Sequence, residues 1–331
     1  MHSSLWSANI LGRVLSRYLK IPIVCDLHGD CAQEGLIRNF FDRCTVRLAN
    51  SIVAVSDTVC ENYLSSIISS IKDPLLRENI TQHVITIKNG INSQALVIKA
   101  TQDPLSRYEL FETATLRDGL RPPQGERLFE LTSDVVTPDF IIGAIGRLEP
   151  IKSYDLLVQA FGLMLKNISP EQELEFGAPK LCLVGDGSDM PKIQTLIKNL
   201  GLNNNLTNNN VILAGFRIDA YRFYPLFDCF ALSSQSEGLS IALLEALSFG
   251  LPIITTHNNI KHEVITHNVH GLLVPANNPE KLAQALIKIY TNKNLRASMH
   301  QANLELIRDS FDLSVNVQKY FDVYEELTHV R

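Results

Sequence analysis

An α/β fold of two parallel-sheet domains, a thin first one and a doubly wound second one, is the class this sequence predicts, and three observations predict it. Short β-branched runs alternate with longer amphipathic segments through most of the chain, the pattern of βαβ units feeding a parallel sheet. The length of 331 residues fits two domains of ordinary size. Hydrophobic periodicity fails between Ala95 and Pro138, where Pro104, Gly119, Pro122, Pro123 and Gly125 interrupt it, and this places a boundary there.

The elements follow in order. The first part predicts a helix over 5–19, a strand over 23–26, a helix over 36–49, a strand over 51–55, a helix over 57–65 and a strand over 84–87, which makes a thin sheet of three strands. In the second part the apolar run FIIGAI predicts a buried strand over 140–145. Leu156, Leu157, Ala160, Phe161 and Leu165 recur at helical spacing and predict a helix over 154–166. Strands over 181–184, 211–214, 229–232, 253–255 and 271–274 then alternate with helices over 190–199, 221–227 (short) and 240–249, and with part of a short helix over 262–265. The asparagine-rich run 203–210 reads as a solvated loop tip.

Composition narrows the function classes. Hydrophobic residues make up 45% and charged residues 20%, an average globular balance that excludes a disordered or fibrous chain. Thirty Lys plus Arg against 35 Asp plus Glu leave a net charge of -5, so no overall footprint for nucleic acid exists. Six cysteines without C-x-x-C spacing, and no signal-peptide pattern, predict a reduced cytoplasmic compartment. Apolar runs are short and interrupted, as 241–254 is by Glu245 and Pro252, so no membrane span is expected. Arg13, Arg17 and Lys20 lie near one another on the helix over 5–19. They suit either peripheral contact with an anionic lipid surface or, more plainly, a solvated helix face.

Four segments could carry chemistry. Ser236 to Ala246 runs from a strand end through Gly238 into a helix and holds two carboxylates, Glu237 and Glu245, that can face one crevice, with Leu239 and Ser240 at the helix start. The backbone N–H groups there suit phosphate and sugar hydroxyls, although two exposed glutamates on a capped helix would give the same pattern. Gly146-Arg147-Leu148-Glu149-Pro150-Ile151-Lys152 follows a buried strand directly, at the carboxyl end where open α/β sheets bind ligands. A guanidinium fork and an ammonium together suit a diphosphate, and two solvated surface charges are the plainer alternative. Val184-Gly185-Asp186-Gly187 is a strand followed by a glycine turn, open to ligand approach or simply tight. Asp26, His28 and Asp30 would share a face if their strand continued, but Gly29 breaks the alternation. His28 is therefore expected as a hydrogen-bonding loop residue rather than a metal ligand. The histidines at 257, 262, 267 and 270 match no metal frame, and no D-x-D occurs, so no metal site and no cofactor are expected.

Together these segments resemble the retaining GT-B glycosyltransferases of glycosyltransferase family 4, or group 1. GRLEPIKS is similar to the family's G-R-L-x-x-x-K-G, LVGDG to its V-G-x-G turn, and SEGLSIALLEALSFGLPIITT to its E-x7-E motif with the following G-x-P. AGFRIDAYRFYPLFDCFALSS resembles the stretch leading into the donor site, with Phe216 and Arg217 among its residues. IPIVCDLHG, ANSIVAVSDTVCENYL and ITIKNGIN resemble late segments of the family's first domain, with Lys88 in place of a proline, Asn92 of an aspartate and, further on, Ser153 of the glycine after Lys152.

The resemblance implies two Rossmann-like domains. A partial acceptor-side domain spans 1–97, a connection or insertion 98–138, a nucleotide-sugar domain 139–310, and a helix over 311–331 crosses back to the first domain. It implies a nucleotide-sugar donor and a glycan, lipid or small-molecule acceptor, with His28, Arg147, Lys152 and Glu237 catalytic. Gly146, Gly185, Phe216, Arg217, Gly238, Leu239, Ser240 and Glu245 would bind the donor, Glu245 at the ribose. Transfer would retain configuration without a metal ion. The rival expectation is a truncated, non-catalytic nucleotide-sugar binder that needs a partner chain.

Overall fold

The computed structural model describes residues 1–28, 36–69, 71–106, 139–202, 210–256 and 263–329. The first sheet has four parallel strands in chain order: β1 (His2–Ser4), β2 (Val24–Leu27), β3 (Ser51–Ala54) and β4 (Val84–Thr86). Three strands were expected. The short HSS segment carries no strand propensity, and it becomes a strand through tertiary pairing, His2 with Val24 and Ser4 with Asp26. Among the described residues five α-helices accompany this sheet: α1 (Trp6–Leu19), α2 (Leu36–Thr45), α3 (Asp57–Ile68), α4 (Pro74–His83) and α5 (Ser93–Gln102). The sequence reading omitted α4, yet its start is marked by Asp73, whose side chain accepts from Leu75 N at 3.0 Å, and by Pro74 in the first turn. Asn92 caps α5 in the same way, accepting from Ala95 N at 3.0 Å, and the helix then runs through residues assigned to the connection. The remainder of that connection, 107–138, lies outside the described residues, as do 203–209 of the asparagine-rich run.

The second sheet has six parallel strands in the order β10-β9-β8-β5-β6-β7: β5 (Phe140–Ile145), β6 (Pro179–Val184), β7 (Val211–Gly215), β8 (Cys229–Leu232), β9 (Ile253–Thr256) and β10 (Gly271–Val274). All six fall where the sequence predicts strands, because each is a short apolar run covered on both faces. The chain proceeds from β5 outward to β7 and then returns to β8 on the other side of β5. The topological switch point therefore lies between the carboxyl ends of β5 and β8. Around the sheet run α6 (Tyr154–Asn167), α7 (Pro170–Phe176), α8 (Met190–Asn199), α9 (Ile241–Ser248), α10 (Pro279–Thr291) and α11 (Lys293–Ser310), and the last helix is α12 (Leu313–His329).

Two helical expectations are corrected. The helix over 221–227 is a pair of 3-10 turns, Ala220–Arg222 and Tyr224–Leu226, because Pro225 has no N–H with which to continue an α-helix. Of the helix over 262–265, the described residues start with Glu263 and Val264 in a turn.

One face of the second sheet buries Ile142, Leu181 and Leu183 against Leu157, Phe161, Ile193 and Leu286. Its other face buries Ile141, Cys182 and Phe230 with Leu243 and Leu247, and this cluster continues into Ile52, Val59 and Tyr63 of the first domain. Gly143 is obligatory in the central strand, since a Cβ there would stand 2.0 Å from the Phe227 ring. After α11 the chain passes Ile91, whose N–H donates to Phe311 O at 2.8 Å and whose carbonyl accepts from Leu313 N at 3.3 Å. Helix α12 then lays Tyr320, Val323, Tyr324 and Leu327 on Val24, Val53 and Ile87 of the first sheet.

Candidate active site

The loops after β5 and β8 meet at the switch point and are stitched together. Ser233 Oγ donates to Lys152 O at 2.9 Å, Gln235 N donates to Ile151 O at 2.9 Å, and Gln235 Nε2 donates to Ser153 Oγ at 3.0 Å. Ser153 holds a left-handed conformation, φ 49° and ψ 45°, which accounts for the glycine typical of the motif it resembles. This stitching brings Lys152 Nζ into a short ion pair with Glu237 Oε1, which also accepts from Ser234 Oγ at 2.8 Å. The Glu237 side chain is 5% exposed and that of Lys152 22%. Arg147, on the same loop, is exposed. The two cations expected to act as a pair therefore differ: one is tied to a buried carboxylate and the other reaches into solvent.

The glycines are explained by backbone crossings. A Cβ at Gly185 would stand 1.9 Å from Gly146 O, so the turn after β6 rides directly on the turn after β5. Glu149 fastens the same crossing by accepting from Ser188 Oγ at 2.8 Å. A Cβ at Gly238 would stand 2.1 Å from His28 O, so here the two domains touch through backbone and only glycine permits it. Beside this contact Asn89 Nδ2 donates to Leu239 O at 3.0 Å. Ser240 precedes α9 without a side-chain hydrogen bond to the helix, leaving the first N–H groups of α9 uncapped by it.

Glu245, on the next turn of α9, accepts from Tyr224 OH at 2.6 Å. Burial pushes the Glu245 carboxyl above its ordinary value, with the Tyr224 hydrogen bond pulling the other way. Phe216 is 73% exposed at the end of β7. Arg217 forms a two-bond pair with Asp219, both at 2.8 Å, and its guanidinium lies over the Phe223 ring. Hydrogen bonding to Arg217, opposed by burial and aided by Arg222, holds the Asp219 carboxyl down at about 2.

The strand-end group at Asp26 is structural. Asp26 Oδ2 pairs with His2 Nε2 at 2.9 Å and lies 3.8 Å from His28 Nε2, while Tyr320 OH donates to its other oxygen at 3.3 Å. Gly29 and Asp30 lie outside the described residues. Among the described residues no group of three or more His, Cys, Asp or Glu gathers that could hold a metal ion. His267 and His270 accept from backbone N–H groups of Leu273 and Thr266, and residues 257 and 262 are not described. Sequence reasoning missed Tyr154, Tyr224, Ser234 and Asn89. Of these, Tyr154 alone left a signal, a hydroxyl opening an amphipathic helix directly after Lys152-Ser153.

Two parallel α/β sheets whose domains meet at Gly238 and His28, with a Lys152–Glu237 ion pair at the switch point of the second, make a two-domain fold of the GT-B type. Residues 132–305 match the model of the family described as glycosyl transferases group 1, and the chain belongs to that family. It is 23% identical over 330 residues to the UDP-Gal:alpha-D-GlcNAc-diphosphoundecaprenol alpha-1,3-galactosyltransferase of Escherichia coli, covering 98% of this chain and 74% of that protein. It is 22% identical over 321 residues to an uncharacterized glycosyltransferase of Methanocaldococcus jannaschii, covering 96% of this chain and 72% of that protein. The crystal structure of Anabaena HepE in complex with UDP-glucose shares the fold, with a TM-score of 0.72 and 19% identity over 98% of this chain and 78% of that one. No helix among the described residues is long and apolar enough to cross a membrane.

Proposed function

We propose that the chain transfers a glycosyl group from a nucleotide-sugar to a hydroxyl of a glycan, lipid or small-molecule acceptor, with retention at the anomeric carbon and without a metal ion. The observation that carries this reading is the Lys152–Glu237 pair at the switch point, next to the Gly238 backbone that meets His28. Arg147 and Lys152 counter the charge that builds on the departing diphosphate, and the uncapped start of α9 adds its dipole. Glu237 and the backbone from Gly238 to Ser240 orient the sugar hydroxyls, with His28 facing them from the first domain. Tyr224 engages one oxygen of Glu245 and leaves the other for a ribose hydroxyl. Gly146 and Gly185 shape the floor, and Phe216 and Arg217 border the nucleotide.

The acceptor oxygen bonds the anomeric carbon on the face the diphosphate leaves, the bond from that carbon to the phosphate oxygen breaks, and the acceptor proton passes to the departing phosphate. The name of the Escherichia coli relative gives a diphosphoundecaprenol-linked acceptor. A lipid-linked acceptor of this kind fits a cytoplasmic protein that touches the membrane through α1, where Leu11, Val14, Leu15 and Tyr18 are exposed.

Calorimetry with UDP, GDP and ADP and their glucose conjugates, with and without chelator, tests the reading. Glu237→Ala should leave diphosphate affinity unchanged and cut nucleotide-sugar affinity, whereas Glu245→Ala should weaken both by about 1–3 kcal/mol. Equal binding by both variants and the parent would remove the site, and loss of all binding in chelator would remove metal independence.

A further inference from the structure

Tyr154 opens α6 with its ring 3% exposed, and its hydroxyl has no hydrogen-bond partner among the described residues. A second orphan stands in the same site: Glu237 Oε2, on the carboxylate whose other oxygen takes Lys152 and Ser234. The Tyr154 hydroxyl faces Gly146, the glycine that opens the loop after β5. The Tyr154 oxygen lies 2.7 Å from where a Cβ at Gly146 would be, so any larger residue at 146 would press on the hydroxyl. Burial first, and then the Glu237 charge, push the Tyr154 hydroxyl well above its ordinary pKa and keep it a donor at every physiological pH.

The hydroxyl contributes nothing to packing that a phenyl ring would not, and unsatisfied in a buried place it carries a desolvation cost. Hydrogen bonds of Ile151, Lys152 and Ser153 with Ser233 and Gln235 tie the segment that leads into Tyr154 to the segment that leads into Glu237. A donor without an acceptor and an acceptor without a donor, on segments tied together beside the leaving-group loop, are complementary.

We propose that Tyr154 is a positioning residue for Glu237: its hydroxyl donates to Glu237 Oε2, directly or across one water, when a nucleotide-sugar is bound. Lys152 holds one oxygen of the carboxylate and Tyr154 orients the other, which fixes the plane in which Glu237 meets the sugar hydroxyls. This rests on the assignment of Glu237 to the donor sugar.

Tyr154→Phe removes only the hydroxyl. Its melting temperature should equal or exceed that of the parent, and its affinity for UDP should match the parent. Its affinity for UDP-glucose and its kcat for donor hydrolysis should fall about tenfold, the loss of one hydrogen bond to a charged group. In a Glu237→Ala background, which leaves no side-chain acceptor at 237, the same substitution should have no further effect on either, because the residue acts through Glu237. Unchanged UDP-glucose affinity in Tyr154→Phe, or an equal loss in both backgrounds, overturns the positioning role while the proposed function stands. A parent that binds UDP but none of the UDP-, GDP- or ADP-sugars overturns both.

Discussion

Glu263, beside the second sheet, accepts the backbone N–H of Asp57 at 2.9 Å and that of Thr58 at 2.5 Å, at the first turn of α3 in the other domain. The Thr58 hydroxyl also donates to it, and Lys88 Nζ lies 3.9 Å away while pairing with Asp57 at 3.0 Å. A carboxylate at a helix start meets unsatisfied N–H groups and the positive end of the dipole, worth about 0.3–1 kcal/mol and up to ~2 when partly buried. Because the accepting carboxylate and the helix belong to different domains, this contact ties the two sides of the cleft together. Glu263→Ala should leave UDP affinity unchanged, lower donor hydrolysis and increase the radius of gyration measured by small-angle X-ray scattering. An unchanged scattering profile with unchanged turnover would show that the contact closes nothing.

Lys152 and Arg147 should separate on stability. Removing Lys152 leaves Glu237 buried without its counter-charge, and breaking a buried pair costs about 3–5 kcal/mol, less here because the lysine is 22% exposed. Lys152→Met should therefore lower the midpoint of urea unfolding as well as donor affinity. Arg147→Ala should leave the unfolding midpoint in place and weaken UDP by about 1.5–3 kcal/mol while leaving uridine untouched. A matching loss of stability in both variants would mean that the exposed guanidinium is part of the fold.

The contrast between these two cations marks the limit of what the sequence carries. Strands were legible wherever a short apolar run is buried on both faces, as in all six strands of the second sheet, and illegible where pairing alone makes them, as at His2–Ser4. Glycine spacing pointed to close approach at 146, 185 and 238, but only the folded chain tells which approach is a loop crossing and which is a contact between domains. Arg147 and Lys152 look alike in sequence because the partner that distinguishes them lies 85 residues from Lys152. Glu263 was unreadable for the same reason, its partners being 205 and 206 residues away.

Arg13 drops out of the basic group that the sequence places on the helix over 5–19. It is fully buried, pairs with Asp42 at 2.6 Å and also donates to Tyr63 OH at 3.2 Å, so it belongs to the core of the first domain. Arg17 and Lys20 remain exposed beside Leu15, Tyr18 and Leu19. Arg13→Ala should destabilise the protein by about 3–5 kcal/mol, as breaking a buried pair does. Arg17→Glu with Lys20→Glu should keep the melting temperature and reduce co-sedimentation with vesicles rich in phosphatidylglycerol, most clearly at low salt. Vesicle binding that is absent in the parent, or unaffected by the charge reversal, would remove α1 from the membrane contact.

Glu245 gives the pH test of the site. Burial raises its carboxyl and the Tyr224 hydrogen bond only partly offsets that. A carboxyl whose folded pKa lies above its unfolded value binds its proton more tightly when folded. Its stabilising contribution is complete below the unfolded value and is lost as pH rises through the folded one. At about pH 7 the bare carboxylate thus burdens the fold, while at about pH 4, near the ordinary carboxyl value, it does not. Glu245→Gln keeps an oxygen for Tyr224 OH and sheds the charge. Its melting temperature should exceed that of the parent at neutral pH, and the gain should vanish as the buffer approaches the acid end. On the role proposed for Glu245 at the ribose, the same substitution should weaken UDP by about 1–3 kcal/mol, because an amide would replace the charged acceptor. A protein that gains stability and loses nucleotide affinity at one residue is trading one for the other, as binding sites do. A variant less stable than the parent at neutral pH, with UDP affinity intact, would assign Glu245 to the fold and leave the ribose to another group.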